Sequence, residues 1–382
     1  MILNNVKIYG ENNAVNIYVD GKTISHIEDS NKKNNSKEKE LQLHFENAIA
    51  FPGLINSHDH LEFNLFPQFG DRIFNNYLQW SNYTSEKYKA EINKVLQIPV
   101  QLRILWGLYK NLLCGVTTVV HHGEKIAVDN AEISIFQDHH FLHSVGLDKR
   151  WRYKLNKPSS KKMFVIHIGE GRDECAKKEI DKLIRWNLFK KEIVAVHGVA
   201  MNQQQARSFK ALVWCPASNF FMLNETAKVD MLKNELPIVF GTDSTLTADW
   251  NLWDHLRAAR KRSSISDGEL FNMLTTTPAQ VWDLKDHGAI KKDHVADIVI
   301  AENKNDNFFE TDPENILLIL KNGEIKLFDE KLLSQLEIGN FDKKKFSKIS
   351  IKNSRKYVHG DLPGLITEVK KYYPEAEFPI IV

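Results

Sequence analysis

The sequence predicts an α/β protein assembled from parallel βα units, with strand-rich ends. Three observations predict it. Short apolar runs recur at 116–120, 143–147, 163–168, 193–196, 211–214 and 237–240, and helical patterns such as 172–188 and 203–209 lie between most of them; strands alternating with helices are the mark of βα units. The runs are apolar throughout rather than alternating, as in strands covered on both faces. The first fifty residues and the stretch from Ala296 to Phe328 instead carry closely spaced strand patterns.

Taken in order, VKIYG, VNIYVDGKTISHIED and LQLHFENAIAF read as short strands, with Asp20-Gly21 as a hairpin turn. NKKNNSKEKE (31–40) mixes acids with lysines, lacks aromatics and reads as a solvated loop tip. Phe63, Phe66, Phe69, Phe74, Tyr77, Trp80 and Tyr83 are spaced irregularly, which reads as packing by a segment lying beside any site at the preceding strand end. Residues 100–113 have helical periodicity and stop at Cys114-Gly115, and GVTTVVHH follows as a buried strand. From Trp250 to Trp282 the pattern is helical, with an interruption expected near Pro278; ADIVIAE and NILLILKNGEIKLF return to strands. A lysine-rich tail ends with an amphipathic helical segment around 365–372.

At 382 residues the chain holds one large domain or two ordinary ones, and 42% apolar residues suffice for a sizeable core. Its 51 basic and 49 acidic residues leave a net charge of +2, so no field points to nucleic acid or anionic lipid. Cys114, Cys175 and Cys215 lie far apart, as in a reduced compartment without a disulfide framework. No signal-peptide pattern opens the chain, and no run approaches the roughly 18 apolar residues of a membrane span. The expectation is a cytoplasmic protein with a small-molecule substrate and neither nucleic acid nor membrane as partner; homo-oligomerisation is left open.

The chemistry starts in PGLINSHDHLEFN (52–64), where an apolar run ends in His58-Asp59-His60. The two-residue period of a strand points both imidazoles to one side and Asp59 to the other, ready for a borderline metal such as zinc. Three later runs end in the same way: FVIHIGE in His167 with Glu170 three residues on, IVAVHGV in His197, and PIVFGTDS in Asp243. Side chains at the C-terminal ends of parallel barrel strands converge on one face. One strand-end histidine is an ordinary cap; four such endings in one chain are a constellation.

These residues, with GVTT (115–118), CPASN (215–219), TTTPAQVWDL and GAIKKDHVADIVI, resemble the amidohydrolase superfamily, in particular its cytosine deaminase, guanine deaminase and triazine hydrolase branch. The resemblance covers most of the chain. It implies a TIM-type (β/α)₈ barrel over 51–289 and a small β-sandwich formed by both termini (1–50 with 290–330), with 331–382 as an extension packing on either. It implies His58, His60, His167 and Asp243 as ligands of one divalent transition metal, zinc before iron, because no strand ends in the lysine that binuclear branches need. It implies catalytic roles for Asp243 as base, His197 as stabiliser of developing negative charge and Glu170 as acid facing the substrate. The other reading of Glu170 is a first-turn acid of the following helix. Ser218 and Asn219 read as a hydrogen-bonded loop shaping the seventh strand's end.

The sequence departs from the pattern in three places. Residues 148–162 are too few for a helix, a strand and a second helix, so the fourth βα unit is expected to be shortened to something like 151–155, or lost, with the aromatic segment or the C-terminal tail covering that side. Asp293 stands where the family commonly has glycine. His121 and His122 end the second strand, and alternation lets one of them face inward, to reach the pocket or to pack. Candidate substrate contacts are Glu62, Asn64, His122 and Trp250. The expected function is metal-dependent hydrolysis of a carbon–nitrogen bond, foremost hydrolytic deamination of a cyclic amidine or N-heterocyclic amine. Hydrolysis of a cyclic, lactam-type amide is the alternative, and a non-catalytic metal-binding protein the third reading. HxxE leans towards deamination, because a carboxylic acid beside the metal suits protonation of an amidine ring.

Overall fold

In the computed structural model, residues 1–31, 40–157, 162–339 and 341–382 are described. Nearly all of the charged 31–40 stretch lies outside them. The chain opens with β1 (Ile2–Ile8), β2 (Ala14–Asp20), β3 (Thr23–Asp29), β4 (Gln42–His44) and β5 (Ala48–Pro52). Asp20 pairs with Thr23 across the β2–β3 turn, where Gly21 takes φ +54°, a conformation glycine adopts without a Cβ penalty.

The central part runs β6 (Leu54–Asp59), α1 (Tyr77–Lys87), α2 (Lys89–Leu96), α3 (Val100–Leu113), β7 (Val116–His121), β8 (Ser134–Phe136), β9 (His140–Ser144), α4 (Trp151–Asn156), β10 (Phe164–Ile168), α5 (Glu174–Trp186), β11 (Ile193–His197), α6 (Gln203–Ala206), β12 (Ala211–Trp214), α7 (Pro216–Leu223), α8 (Val229–Leu232) and β13 (Ile238–Phe240). It continues as α9 (Leu252–Arg262), α10 (Asp267–Asn272) and α11 (Thr276–Val281). The fold is α/β with parallel sheets: β6-β7-β8 form one and β9-β10-β11-β12-β13 the other. Both β10 and β11 are buried along their whole length, as their unbroken apolar runs require. The amides of Thr242 and Asp243, just beyond β13, donate to the His58 carbonyl at 3.1 and 3.0 Å and seat the end of β13 beside β6.

Three expectations change. The fourth parallel strand is β9, which pairs with β10 over its length with one shift of register at Ile166/His167. The expected strand at 151–155 is instead helix α4, whose buried residues Trp151 and Leu155 sit four apart, a helical spacing. The economy lies earlier in the chain: no helix separates β7 from β8, or β8 from β9, among the described residues. Strand β8 went unread because three half-buried residues, Ser-Ile-Phe, give no periodic signal. Finally, Pro278 does not interrupt a helix. It sits in the first turn of α11, where its missing N–H has no intrahelical partner to lose, and the breaks fall at 263–266 and 273–275.

The chain then forms β14 (Ile298–Glu302), β15 (Ile316–Lys321), β16 (Glu324–Asp329), α12 (Leu333–Ile338), β17 (Phe346–Ile351), β18 (Ser354–His359) and α13 (Leu362–Tyr372). Strands from both ends make one sheet, in the order β17-β18-β16-β15-β14-β5-β1-β2-β3, with β4 also on β1. Asp293, in the family's glycine position, holds φ +67°, and its amide donates to Ile24 O at 2.8 Å; aspartate tolerates the left-handed region better than most residues. The last fifty residues meet both regions. β18 pairs with β16, while Trp106 of α3 stacks edge-on against Phe378 at 4.8 Å and Tyr109 donates to His359 O at 3.0 Å. Among the described residues no helix is long and apolar enough to cross a membrane.

Candidate active site

Four strand ends deliver the polar groups. His58 is the penultimate residue of β6 and His60 follows its end; His167 is in β10, His197 ends β11, and Asp243 lies three residues past β13. All five are buried, as is Glu170. His197 and Asp243 both sit in the left-handed region, at φ +72° and +57°, a conformation that re-aims the chain where two strands stop. Gly241 allows the approach of β13, since a Cβ there would stand 2.7 Å from that of His58.

The side chains converge. Nε2 of His167 lies 3.2 Å from Nε2 of both His58 and His60, and Oδ1 of Asp243 lies 3.6 and 3.7 Å from the same two nitrogens. Four donors about 2.0–2.1 Å from a shared tetrahedral centre would stand roughly 3.3 Å apart. The donor set, three imidazoles and a carboxylate, is one that zinc accepts. The residues therefore fit a divalent transition metal. Nε2 of His197 is near enough to His58 and His167 to form a second candidate triad with them.

Burial sets the protonation states. It lowers the pKa of His58, and that of His167 well below the ordinary range, so both present lone pairs rather than charge. Burial also pushes His197 down, to about 3. At Asp243 burial acts upward, but the hydrogen bond with His58 and the nearby imidazoles outweigh it and hold the carboxylate well below its usual range. Glu170 goes the other way: burial first, then the charges of Asp243 and Glu179, raise it well above the carboxylate range. The surroundings thus push the two carboxyl groups of one site in opposite directions. Nε2 of His197 lies between them, 3.4 Å from Glu170 Oε1 and 4.0 Å from Asp243 Oδ2.

A cavity of about 120 Å³ opens on these groups. Phe63, Trp80, Leu147, Met222 and Leu246 supply its apolar wall, and Tyr77 and His143 its further polar edge. The aromatic segment does cover this side: the Tyr77 amide donates to Glu170 O at 3.0 Å, its hydroxyl to Glu179 Oε1 at 2.6 Å, and Trp80 Nε1 to Phe69 O at 2.7 Å. Tyr77, Trp80 and His143 were not singled out as site residues. Irregular aromatic spacing was the only signal of the first two, and His143 was hidden in a strand whose end was read at Leu147. The C-terminal tail lines a different, broader groove of about 510 Å³.

None of the four expected substrate contacts lines the small cavity. Glu62 turns to His121, with Oε2 3.8 Å from Nδ1. Asn64 turns behind β6, donating to Asp59 Oδ1 at 2.8 Å and accepting from Lys110 Nζ at 2.9 Å. Of the paired histidines, His122 is the one facing inward; it packs behind the cluster, stacked on His167 at 4.2 Å, and bonds to Leu142 O. Trp250 lines the broader groove. Ser218 and Asn219 do more than shape a loop. Ser218 Oγ donates to Asp243 Oδ2 at 2.8 Å, and Asn219 Nδ2 lies 3.0 Å from His197 Nδ1.

The sequence profile of the Amidohydrolase family matches residues 178–326. A 5-methylthioadenosine/S-adenosylhomocysteine deaminase from Caldicellulosiruptor saccharolyticus is 24% identical, over 86% of this chain and 92% of its own length. Over most of its length the chain is thus similar to a deaminase, and over residues 178–326 to the Amidohydrolase family. Among solved structures, atrazine chlorohydrolase from Arthrobacter aurescens complexed with zinc superposes with a TM-score of 0.63 at 15% identity, covering 89% of this chain and 99% of that one. Guanine deaminase from C. acetobutylicum with bound guanine gives 0.59 at 17% identity, covering 85% and 99%. The chain thus shares its fold with these two proteins at low sequence identity.

Proposed function

We propose that this protein is a hydrolytic deaminase of a small, planar N-heteroaromatic amine, holding one divalent metal ion, zinc before iron, on His58, His60, His167 and Asp243. The observation that carries the reading is Glu170, a buried carboxyl group whose pKa burial raises, 3.4 Å from His197 and on the wall of the same cavity as the histidine cluster. An amidine carbon is a poor electrophile until its ring nitrogen is protonated, and an acid that stays protonated at neutral pH suits that task. The deaminase named above, found by sequence, and the guanine deaminase, found by fold, support the same chemistry. So does the size of the cavity: about 120 Å³ compares with the roughly 150 Å³ that admits benzene in an engineered apolar cavity.

When bound, the metal would act as a Lewis acid that lowers the pKa of water at the site to about 7. Asp243 takes the proton of the attacking water as its oxygen joins the ring carbon. Glu170 gives its proton to the ring nitrogen in the same step. His197 donates from Nε2 to the oxygen as negative charge develops on it. Asp243 then passes its proton to the amino group; the carbon–nitrogen bond breaks, ammonia leaves, and the proton lost by the new hydroxyl returns to Glu170. Phe63 and Trp80 provide flat apolar surface for the ring.

The two parallel sheets are inferred to be arcs of one (β/α)₈ barrel, a reading supported by the bonds from Thr242 and Asp243 to His58. The terminal sheet is inferred to curl into a small sandwich. One apolar cluster there draws Leu3 and Ile17 from the N-terminal strands together with Leu318 and Phe328 from the C-terminal ones, while other terminal-sheet residues such as Val299, Ile316 and Ile319 join the main core.

The test is a screen of zinc-loaded protein against heterocyclic amines and the matching lactams, reading ammonia. Ammonia from an aminated ring is the expected result. A ring-opened product without ammonia would replace the deaminase reading with the cyclic-amide one.

A further inference from the structure

We propose that Asn219 is a positioning residue that fixes the tautomer of His197, through a relay of hydrogen bonds that starts at the Trp214 indole. Trp214 Nε1 lies 2.7 Å from Thr226 Oγ1, which lies 3.3 Å from Asn219 Oδ1. Asn219 Nδ2 lies 3.0 Å from His197 Nδ1. An indole N–H can only donate. Thr226 Oγ1 therefore accepts from Trp214, and in the structure its hydroxyl donates to Asn219 Oδ1. The carbonyl end of the amide is thereby turned to Thr226 and the NH₂ end to His197. Nδ1 must then accept, and the single proton of the neutral imidazole is left on Nε2, the nitrogen that faces Glu170 and Asp243.

This bears on which of two candidate metal triads is used, the one that includes His197 or the one that does not. The set of His58, His167 and His197 would need a lone pair on Nε2 of His197, whereas the set of His58, His60 and Asp243 does not. The relay makes His197 a hydrogen-bond donor to the reacting centre and leaves the metal to the others. It also explains why Ser218 and Asn219 are adjacent on α7. The first holds Asp243 Oδ2 at 2.8 Å, leaving Oδ1 towards His58 and His60; the second holds His197. The catalytic consequence rests on the deaminase reading, but the tautomer itself does not.

The experiment is NMR of the imidazole nitrogens in isotope-labelled, zinc-loaded protein, alongside kinetics of the variants. In the unaltered protein His197 should show a proton on Nε2 and none on Nδ1. Asn219→Asp places an acceptor-only carboxylate opposite Nδ1 and should draw the proton there. Its kcat should fall on the order of 10²–10⁴-fold, as when a catalytic histidine is held in the wrong tautomer, with KM within about threefold and zinc content unchanged. Should that variant fail to fold, Thr226→Val should release the amide and mix the two tautomers, and Thr226→Ser should restore the Nε2–H form. A proton on Nδ1 in the unaltered protein, or an unchanged tautomer in Asn219→Asp, overturns the relay. Absence of deaminase activity with the Nε2–H tautomer in place overturns the proposed function and leaves the relay standing.

Discussion

The two faces of β6 handle charge in opposite ways. On the pocket face, His58 and His60 sit within 4 Å of His167 and Asp243 with no lysine or arginine among the residues lining the cavity. That face sets the Asp243 carboxylate among imidazole nitrogens with no basic side chain beside them, a donor set that suits a cation from outside the chain. On the back face, Asp59 is already matched. Lys110 Nζ lies 3.0 Å from Asp59 Oδ2, both fully buried, and Asn111 Nδ2 and Asn64 Nδ2 bond to the same carboxylate at 2.7 and 2.8 Å. Adjacent residues on one strand thus serve separate ends: the even-numbered histidines turn their Nε2 atoms to the pocket cluster, while Asp59 pins the strand to α3. A buried group left wanting a partner marks chemistry, and one fully partnered marks architecture.

Removing a pocket-face ligand should produce the largest effect. His167→Ala is expected to lower bound metal from about one ion per chain to near none, and turnover by at least about 10⁴-fold, with the fold retained; metal analysis and circular dichroism check it. Two ions per chain in the unaltered protein would contradict the single ligand set. Next is Glu170→Gln, which keeps size and hydrogen-bonding reach but cannot transfer the proton. Metal should stay and turnover fall by about 10²–10⁴-fold; near-normal ammonia release would return Glu170 to a first-turn helix acid. On the back face, Lys110→Met strands the Asp59 carboxylate. Urea unfolding should report a loss of about 3–5 kcal/mol, and a concurrent Asp59→Asn change should recover part of it. A stability loss well below 1 kcal/mol would mean that Lys110 does not pin the strand. The smallest effect is expected from Asn64→Ala, about 1–3 kcal/mol of stability with KM within about threefold, since Asn64 faces Lys110 and not the cavity. A tenfold rise in KM would put Asn64 back among the substrate contacts.

His58, His60, His167, Glu170, His197 and Asp243 were legible as a group because each stands at or just beyond the end of an unmistakable apolar run, and parallel strands bring such ends together. The periodicity that placed them also put Asp59 on the opposite face. Strand β8 and helix α4 were not legible. Three residues of half-buried Ser-Ile-Phe carry no period, and Trp151 with Leu155 fits a helix face as well as a short strand. The substrate contacts failed for a related reason. Glu62 and Asn64 follow the motif closely, but residues 61–63 form a turn of 3₁₀ helix in which neighbours point in different directions, so closeness in sequence does not carry over to the cavity.

By itself the sequence determined the α/β class, the parallel strands and the polar residues at four strand ends, because apolar runs and the residues that end them are written in local order. The tertiary structure alone decided the rest. It brought Lys110 from α3 to Asp59, Tyr77 and Trp80 from α1 over the cavity, and Asn219 from α7 to His197. Each of these pairings joins residues well separated in the chain, and no local pattern encodes the packing angle that brings them together. The state of Glu170 was decided at the same level. Its pKa is raised by burial and by Asp243 and Glu179, and these exist as its surroundings only once the strands and α5 have packed.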